Sequence, residues 1–237
     1  MTNRYFQLSD EGRRKFQLKL LMLSLLIIFS SGTLIILISP KLIFLVIFII
    51  AFLLTVIAPF FDVPAAVKKG DLKYHSLFFL TEKEKNNSIT VHGGTLFDYY
   101  FVLHKDMTRQ ERKKVVLLEY LKGLKELLQN TNEEVKIQGT SYIINERTAN
   151  KLGLKKVATN SLQHLILFFN YLNLTASISL LNKALVFPKL NNIKTFEGKI
   201  GEIEERESFI NGLIEKLEET PANKGKYING HVFNQSV

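Results

Sequence analysis

Hydrophobic positions are unevenly spread along this chain. Leu20 to Ser39 and Leu42 to Phe61 are two runs of 20 residues, and from Leu20 to Phe61 the only charged residue is Lys41. Both runs are apolar all round, which excludes a helix lying on the surface of a water-soluble domain. A helix of about 20 residues rises roughly 30 Å, the thickness of a bilayer's hydrocarbon core. Pro40 interrupts helical hydrogen bonding between them, and the short link makes the pair antiparallel. The pattern predicts a transmembrane hairpin over 20–61, after an N-terminal segment over 1–19. A cleaved leader fits poorly, because the apolar run starts late and a second one follows at once.

Lys and Arg set the expected orientation. Arg4, Arg13, Arg14, Lys15 and Lys19 precede the first span, and Lys68, Lys69 and Lys73 follow the second. The turn carries only Lys41. Both termini are therefore expected in the cytoplasm, with the hairpin in the inner membrane. An ion or proton pathway would normally require an Asp, Glu, His or Arg in mid-membrane; none lies within either span, so a pump or transporter is not expected. The small residues Ser30 to Thr33 permit close helix packing in mid-span.

Beyond the hairpin the pattern turns polar and mixed. A juxtamembrane link is expected over 62–73, and a cytoplasmic α+β domain of ββαβα order over 74–188. Tyr74 to Thr81 reads as a strand, Glu82 to Ser88 as a turn, and Ile89 to Leu103 as a long returning strand. Thr108 and Glu111 have capping-box spacing at the start of a helix running to Gln129. Val135 to Ile144 reads as a strand. Asn145 caps a short helix closed by Gly153, and Lys155 to Thr159 adds a short strand. Leu162 to Leu181 is expected as a buried core helix, with a membrane or interfacial segment as the alternative.

The most regular feature lies near the C-terminus. Ile193, Phe196, Ile200, Ile203, Glu207, Ile210, Ile214 and Leu217 recur in steps of three and four. This is the a/d seam of a coiled coil, and it predicts a long amphipathic helix over 189–220 that pairs with a second copy or a partner helix. A flexible tail is expected over 221–237.

Candidate chemistry centres on Ile89 to Leu103, where His92-Gly93-Gly94-Thr95 interrupts an apolar run. A His-Gly-Gly run after a strand resembles the oxyanion loop of some lipases. Such enzymes also carry a Gly-x-Ser-x-Gly elbow, and the segment Gly139 to Ile143 lacks its second glycine. A phosphate seat at Gly93, Gly94 and Thr95 would want a helix immediately after the glycines, whereas the residues that follow read as strand. The favoured reading is a strand bend that needs glycine. His92 and Asp98 are the candidate acid–base groups, with Asp98 the one acid in an apolar segment. There is no Cys, and the five His show no metal-ligand spacing. No cofactor or metal is expected.

The formal net charge is +9. Lys68, Lys69, Lys73, Arg112, Lys113 and Lys114 are the expected contacts to anionic lipid headgroups. Aromatic–basic interleaving of the kind that binds nucleic acid is lacking. The expectation is a membrane-anchored scaffold or assembly subunit that forms homo-oligomers or binds a partner helix. The alternatives are a membrane-tethered enzyme acting on a phosphorylated or acyl substrate near the His92 segment, or a component of a secretion or DNA-transfer machine.

Overall fold

The computed structural model describes residues 3–159 and 161–219. Helix α1 spans Asp10–Ile38 and begins at Ser9, whose hydroxyl accepts the Gly12 N–H at 3.1 Å. A single 3-10 turn at Pro40–Leu42 reverses the chain into α2, Leu45–Ile57. α1, and the continuous run Pro40–Ile57 formed by the 3-10 turn and α2, are each long and apolar enough to cross a membrane. Their side chains point outward with no protein cover, among them Leu26, Phe29, Leu37, Ile47 and Phe48. In water that surface would be unfavourable; in lipid it is the ordinary state.

The second span ends sooner than the hydropathy indicated. Pro59 opens a new helix, α3 (Pro59–Lys69), at the position where a missing N–H costs nothing. The expected polar link over 62–73 is thus mostly helical, and it closes at Gly70 with φ 75°.

A six-stranded mixed sheet follows. β1 (Leu72–Ser76) and β2 (Phe79–Glu82) form a tight hairpin, then β3 (Ser88–Gly93) pairs antiparallel with β2. Tyr74 to Thr81 is therefore two strands rather than one. The reversal at Leu77-Phe78 is held by Glu119, which accepts the Leu77 N–H at 3.0 Å and, through its carbonyl, the Ser76 hydroxyl at 2.6 Å. The next turn is where the sequence placed it. Asn86 and Asn87 both have positive φ, as a two-residue hairpin turn demands.

After Gly93 the chain does not continue as a strand. Leu96–Val102 is helix α4, followed by α5 (Arg109–Gln129), which starts at the expected Thr108–Glu111 capping box. β4 (Lys136–Ser141) returns parallel to β3. Then come α6 (Glu146–Lys151), β5 (Lys155–Val157), α7 (Ser161–Phe169) and α8 (Tyr171–Asn182). The expected single core helix over 162–181 is two helices bent by 64°. Leu165, Ile166, Phe168 and Phe169 of α7 are exposed, so the first of the pair is not core.

The chain then enters β6 (Lys194–Lys199), α9 (Ile200–Glu204) and α10 (Glu207–Glu219). The sheet order is β1-β2-β3-β4-β6-β5. β6 lies between β4 and β5 and pairs antiparallel with both. This replaces the continuous heptad helix expected over 189–220. Gly198 disfavours a helix there, and six residues of β6 gain a ladder on β4 instead. Ile193, Phe196, Ile200, Ile203, Ile210 and Leu217 are all buried in this chain's own domain. Ile214 packs at the edge of that core, and Glu207 lies 3.9 Å from Lys125 of α5. The expected tail lies outside the described residues.

Two apolar clusters organise the molecule. One fills the space between the sheet and α5, α9 and α10, with Leu124, Leu127, Ile137, Phe196, Ile203 and Ile210 at its centre. The other joins the domain to the hairpin. Tyr5 of the N-terminal segment, Phe60 and Val63 of α3, and Leu96, Phe97 and Phe101 of α4 pack together there, with Phe16 and Leu20 of α1 against them. The rings meet mostly edge to face, the arrangement their quadrupoles favour. The N-terminal segment and the sheet domain therefore sit at the same end of the hairpin.

Candidate functional site

The glycine pair is explained by close approach. A Cβ on Gly93 would lie 1.5 Å from the Tyr120 hydroxyl oxygen, and one on Gly94 would lie 2.2 Å from Phe78 Cδ1. Bulky rings of the core press against the backbone there, so only glycine fits.

A helix does follow the glycines, but its N-terminus is already occupied. Asp98 Oδ2 accepts the Thr95 N–H at 2.7 Å and the Thr95 hydroxyl at 3.0 Å. Asp98 Oδ1 accepts from the Tyr74 hydroxyl at 2.5 Å and from the Asn3 side chain at 3.4 Å. The chain supplies its own carboxylate where a phosphate would sit. Asp98 is fully buried, and burial pushes its pKa up to about 6 against the opposing pull of its donors, Tyr74 first. Its neighbour Tyr74 is pushed up as well, by burial and by the Asp98 charge. Asp98 acts as a cap and as the link that ties Asn3, β1 and α4 into one unit.

His92 is not part of this group. Its Nε2 lies 2.8 Å from Glu82 Oε1 across the β2–β3 pair, on a half-exposed surface. The structure thus brings Thr95 and Asp98 together and leaves His92 elsewhere. Among the described residues no cluster of His, Asp or Glu could hold a metal ion.

The basic residues also separate. Arg112 is buried and donates to the carbonyls of Leu180 and of His104, the latter at 2.7 Å. It clamps α8 to α5 and is not a headgroup contact, because both its terminal nitrogens are taken up inside the protein. Burial lowers the pKa of Lys113 on the same helix, with Arg109 adding to the effect. Lys114 reaches the Glu218 carbonyl of α10 at 3.4 Å. Lys68 and Lys69 stand in the last turn of α3, near the base of the hairpin, and Lys73 is exposed on β1.

The feature that sequence reasoning missed is a cavity of about 380 Å3 between the sheet and the helices α5, α6 and α10. Val91, Ile137 and Phe196 form its floor on the sheet side. Leu117, Leu121 and Leu124 of α5, with Phe209 and Leu213 of α10, form the walls. Among the described residues the only charged ones lining it are Arg147, Lys151 and Lys216, and all three are exposed. Lys151 Nζ stands 5.7 Å from the centre of the Phe209 ring. The interior is apolar and the mouth is cationic. Its volume falls in the range of about 300–1,000 Å3 common for small-molecule sites. No local motif could have revealed it, since its lining comes from seven separate elements and connecting loops.

Comparison with protein-family models, with curated proteins and with solved structures finds no match to this chain.

Proposed function

We propose that this protein is a bilayer-anchored binding module whose domain takes up the chain of a single-chain anionic amphiphile, such as a fatty acid. The observation that carries the reading is the cavity: apolar walls with cations confined to the rim and no acidic residue in its lining. An acyl chain fits such walls, because every methylene moved out of water contributes about 0.8 kcal/mol. A carboxylate or phosphate head at the mouth would meet Arg147, Lys151 and Lys216. The hairpin adds to this by holding the domain beside a lipid reservoir, which raises the local ligand concentration.

The orientation proposed is the one the Lys and Arg distribution favours, with the domain and the N-terminus on the cytoplasmic face of the inner membrane. The scaffold reading keeps its membrane anchor, but the helix seam offered for assembly is absorbed into the chain's own core. The enzyme reading would need a reactive group near His92. There His92 is paired with Glu82 and Asp98 with Thr95 and Tyr74. No feature of the site points to secretion or DNA transfer in particular.

The test uses a palmitate carrying a diazirine near its tail, photolysed in membranes that hold the full chain. Adducts are expected on peptides that line the cavity. Leu121→Trp, which fills it, should abolish those adducts and leave labelling of α1 and α2 intact. Arg147→Glu combined with Lys151→Glu should weaken uptake by about tenfold, the loss expected from reversing two charges near an anionic head. Adducts on the hairpin alone, or cavity adducts undiminished by Leu121→Trp, would overturn the reading.

A further inference from the structure

From Val157 to Asn182 the chain has no Asp, Glu, Lys or Arg. The structure uses the two halves of this stretch differently. α8 is seated in protein, with Thr175, Ser177, Ile178 and Leu181 buried. α7 is not. Leu165, Ile166, Phe168 and Phe169 are exposed, the two rings by 67% and 64%. At 100° per residue these four positions span about 160° of the helix circumference, and an exposed apolar face that wide is unfavourable against water.

The position of α8 says what covers it. In its first turn, Asn173 donates to the carbonyl of Thr55 at 2.8 Å. Thr55 lies two residues before the end of the second span. The α7–α8 junction is thus held at the base of the hairpin, level with the end of a helix whose outer face is apolar and uncovered. The other end of α7 is tied to the sheet, where the Gln163 side chain donates to the Thr140 hydroxyl at 2.5 Å. Polar residues (Ser161, Gln163, His164) stand at the domain end and apolar ones at the hairpin end. The bend itself is compatible with a water-poor setting. Asn170 N–H donates to the Ile166 carbonyl and Leu174 N–H to the Asn170 carbonyl, each at 2.9 Å, so these backbone groups stay paired through the bend.

We infer that α7 dips into the bilayer beside the hairpin, its Leu165–Phe169 end among the acyl chains, as a re-entrant element that makes a third contact with the membrane. Neither α7 nor α8 is long enough to span alone, and the buried polar side chains of α8 keep that helix in the protein.

The absence of Cys makes the test clean. Single variants Phe168→Cys, Ile47→Cys and Ser208→Cys of the full chain are labelled with an environment-sensitive nitrobenzoxadiazole and placed in nanodiscs. Ile47 lies on the lipid face of α2 and Ser208 is exposed on α10, so they set the two limits. The label at position 168 should emit at the Ile47 limit, resist iodide in the water, and be quenched by lipids with nitroxides on their acyl chains. Quenching by iodide as at Ser208 would overturn the inference. So would shielding from both quenchers, which would mean that protein, and not lipid, covers α7.

Discussion

The Asp98 carboxylate accepts the Thr95 backbone N–H at 2.7 Å, and Glu111 accepts the Thr108 N–H at 2.6 Å in the same way. The two capping boxes are chemically alike, yet their acids shift in opposite directions. The Thr108 hydrogen bonds hold exposed Glu111 below the usual carboxylate range. Burial wins at Asp98 and raises it to about 6. The same motif therefore stabilises a helix in water at Glu111 and carries a desolvation cost at Asp98.

The pH dependence follows from the raised value. Between pH 4 and 6 the folded state holds a proton on Asp98 that the unfolded chain has released, so this residue's contribution to stability falls as pH rises through about 6. The term is on the order of 2–3 kcal/mol for a shift of two units. Denaturation of wild type and Asp98→Asn in matched detergent should show it: wild type loses stability relative to the variant from pH 4 to 7. A constant difference across that range would refute the assignment. Asp98→Ala, which strands the Tyr74 and Thr95 donors, should destabilise most near pH 4 and less as pH rises to 7, because the variant lacks the same titration.

Gly94→Ala should destabilise by about 1–3 kcal/mol, because its Cβ would overlap the Phe78 ring. Gly93→Ala should do the same and be partly relieved by Tyr120→Phe, which removes the oxygen 1.5 Å away. His92→Ala should change stability by no more than about 0.5 kcal/mol, since only a half-exposed pair with Glu82 is lost. Thermal denaturation of the four variants checks the series.

Arg112→Gln should cost about 2–4 kcal/mol, because the Leu180 and His104 carbonyls lose a buried charged donor. Partition to anionic liposomes should not change. Lys114→Gln, on the surface, should stay within about 0.5 kcal/mol. A loss of anionic-lipid affinity without loss of stability in Arg112→Gln would restore the headgroup role.

Removal of residues 200–219 should unfold the sheet domain, measured by protease resistance in membranes. Ile200, Ile203 and Ile210 are fully buried, and α10 packs on α5. A domain that stayed folded and merely changed its oligomeric state would point back to an independent helical arm.

Reporters fused at residues 3 and 83 should read the same side of the membrane, because Tyr5 and Phe97 pack with ring centres 5.0 Å apart. The orientation proposed above puts that side in the cytoplasm.

What the sequence alone determined is local or one-dimensional. Two charge-free runs specify membrane helices, because hydrocarbon penalises charge wherever the rest of the chain goes. The Thr108–Glu111 box, the Asn145 cap, the turn within Glu82 to Ser88 and the closing Gly153 each satisfy backbone groups within a few residues, so they were legible without a fold. Two further signals of this kind were present and outweighed. Thr95 and Asp98 have the spacing of a helix start, but the aromatic residues after them suggested a strand; Gly198 stands inside a stretch whose apolar spacing suggested a helix.

Tertiary structure decided those cases because competing local preferences differ by little, and partners distant in sequence tip the balance. α4 is a helix where Tyr5, Phe60 and the Asn3 amide meet its outer face while Tyr99 and Val102 enter the domain core. β6 is a strand because β4 and β5 each lack a neighbour without it. The step of three and four from Ile193 to Leu217 is real, but it runs across a strand, a short helix and a longer one that bury the same residues inward. The cavity and the exposed face of α7 exist only through such long-range packing: one is a space left between seven elements and their loops, and the other is a surface whose meaning depends on its height beside Thr55.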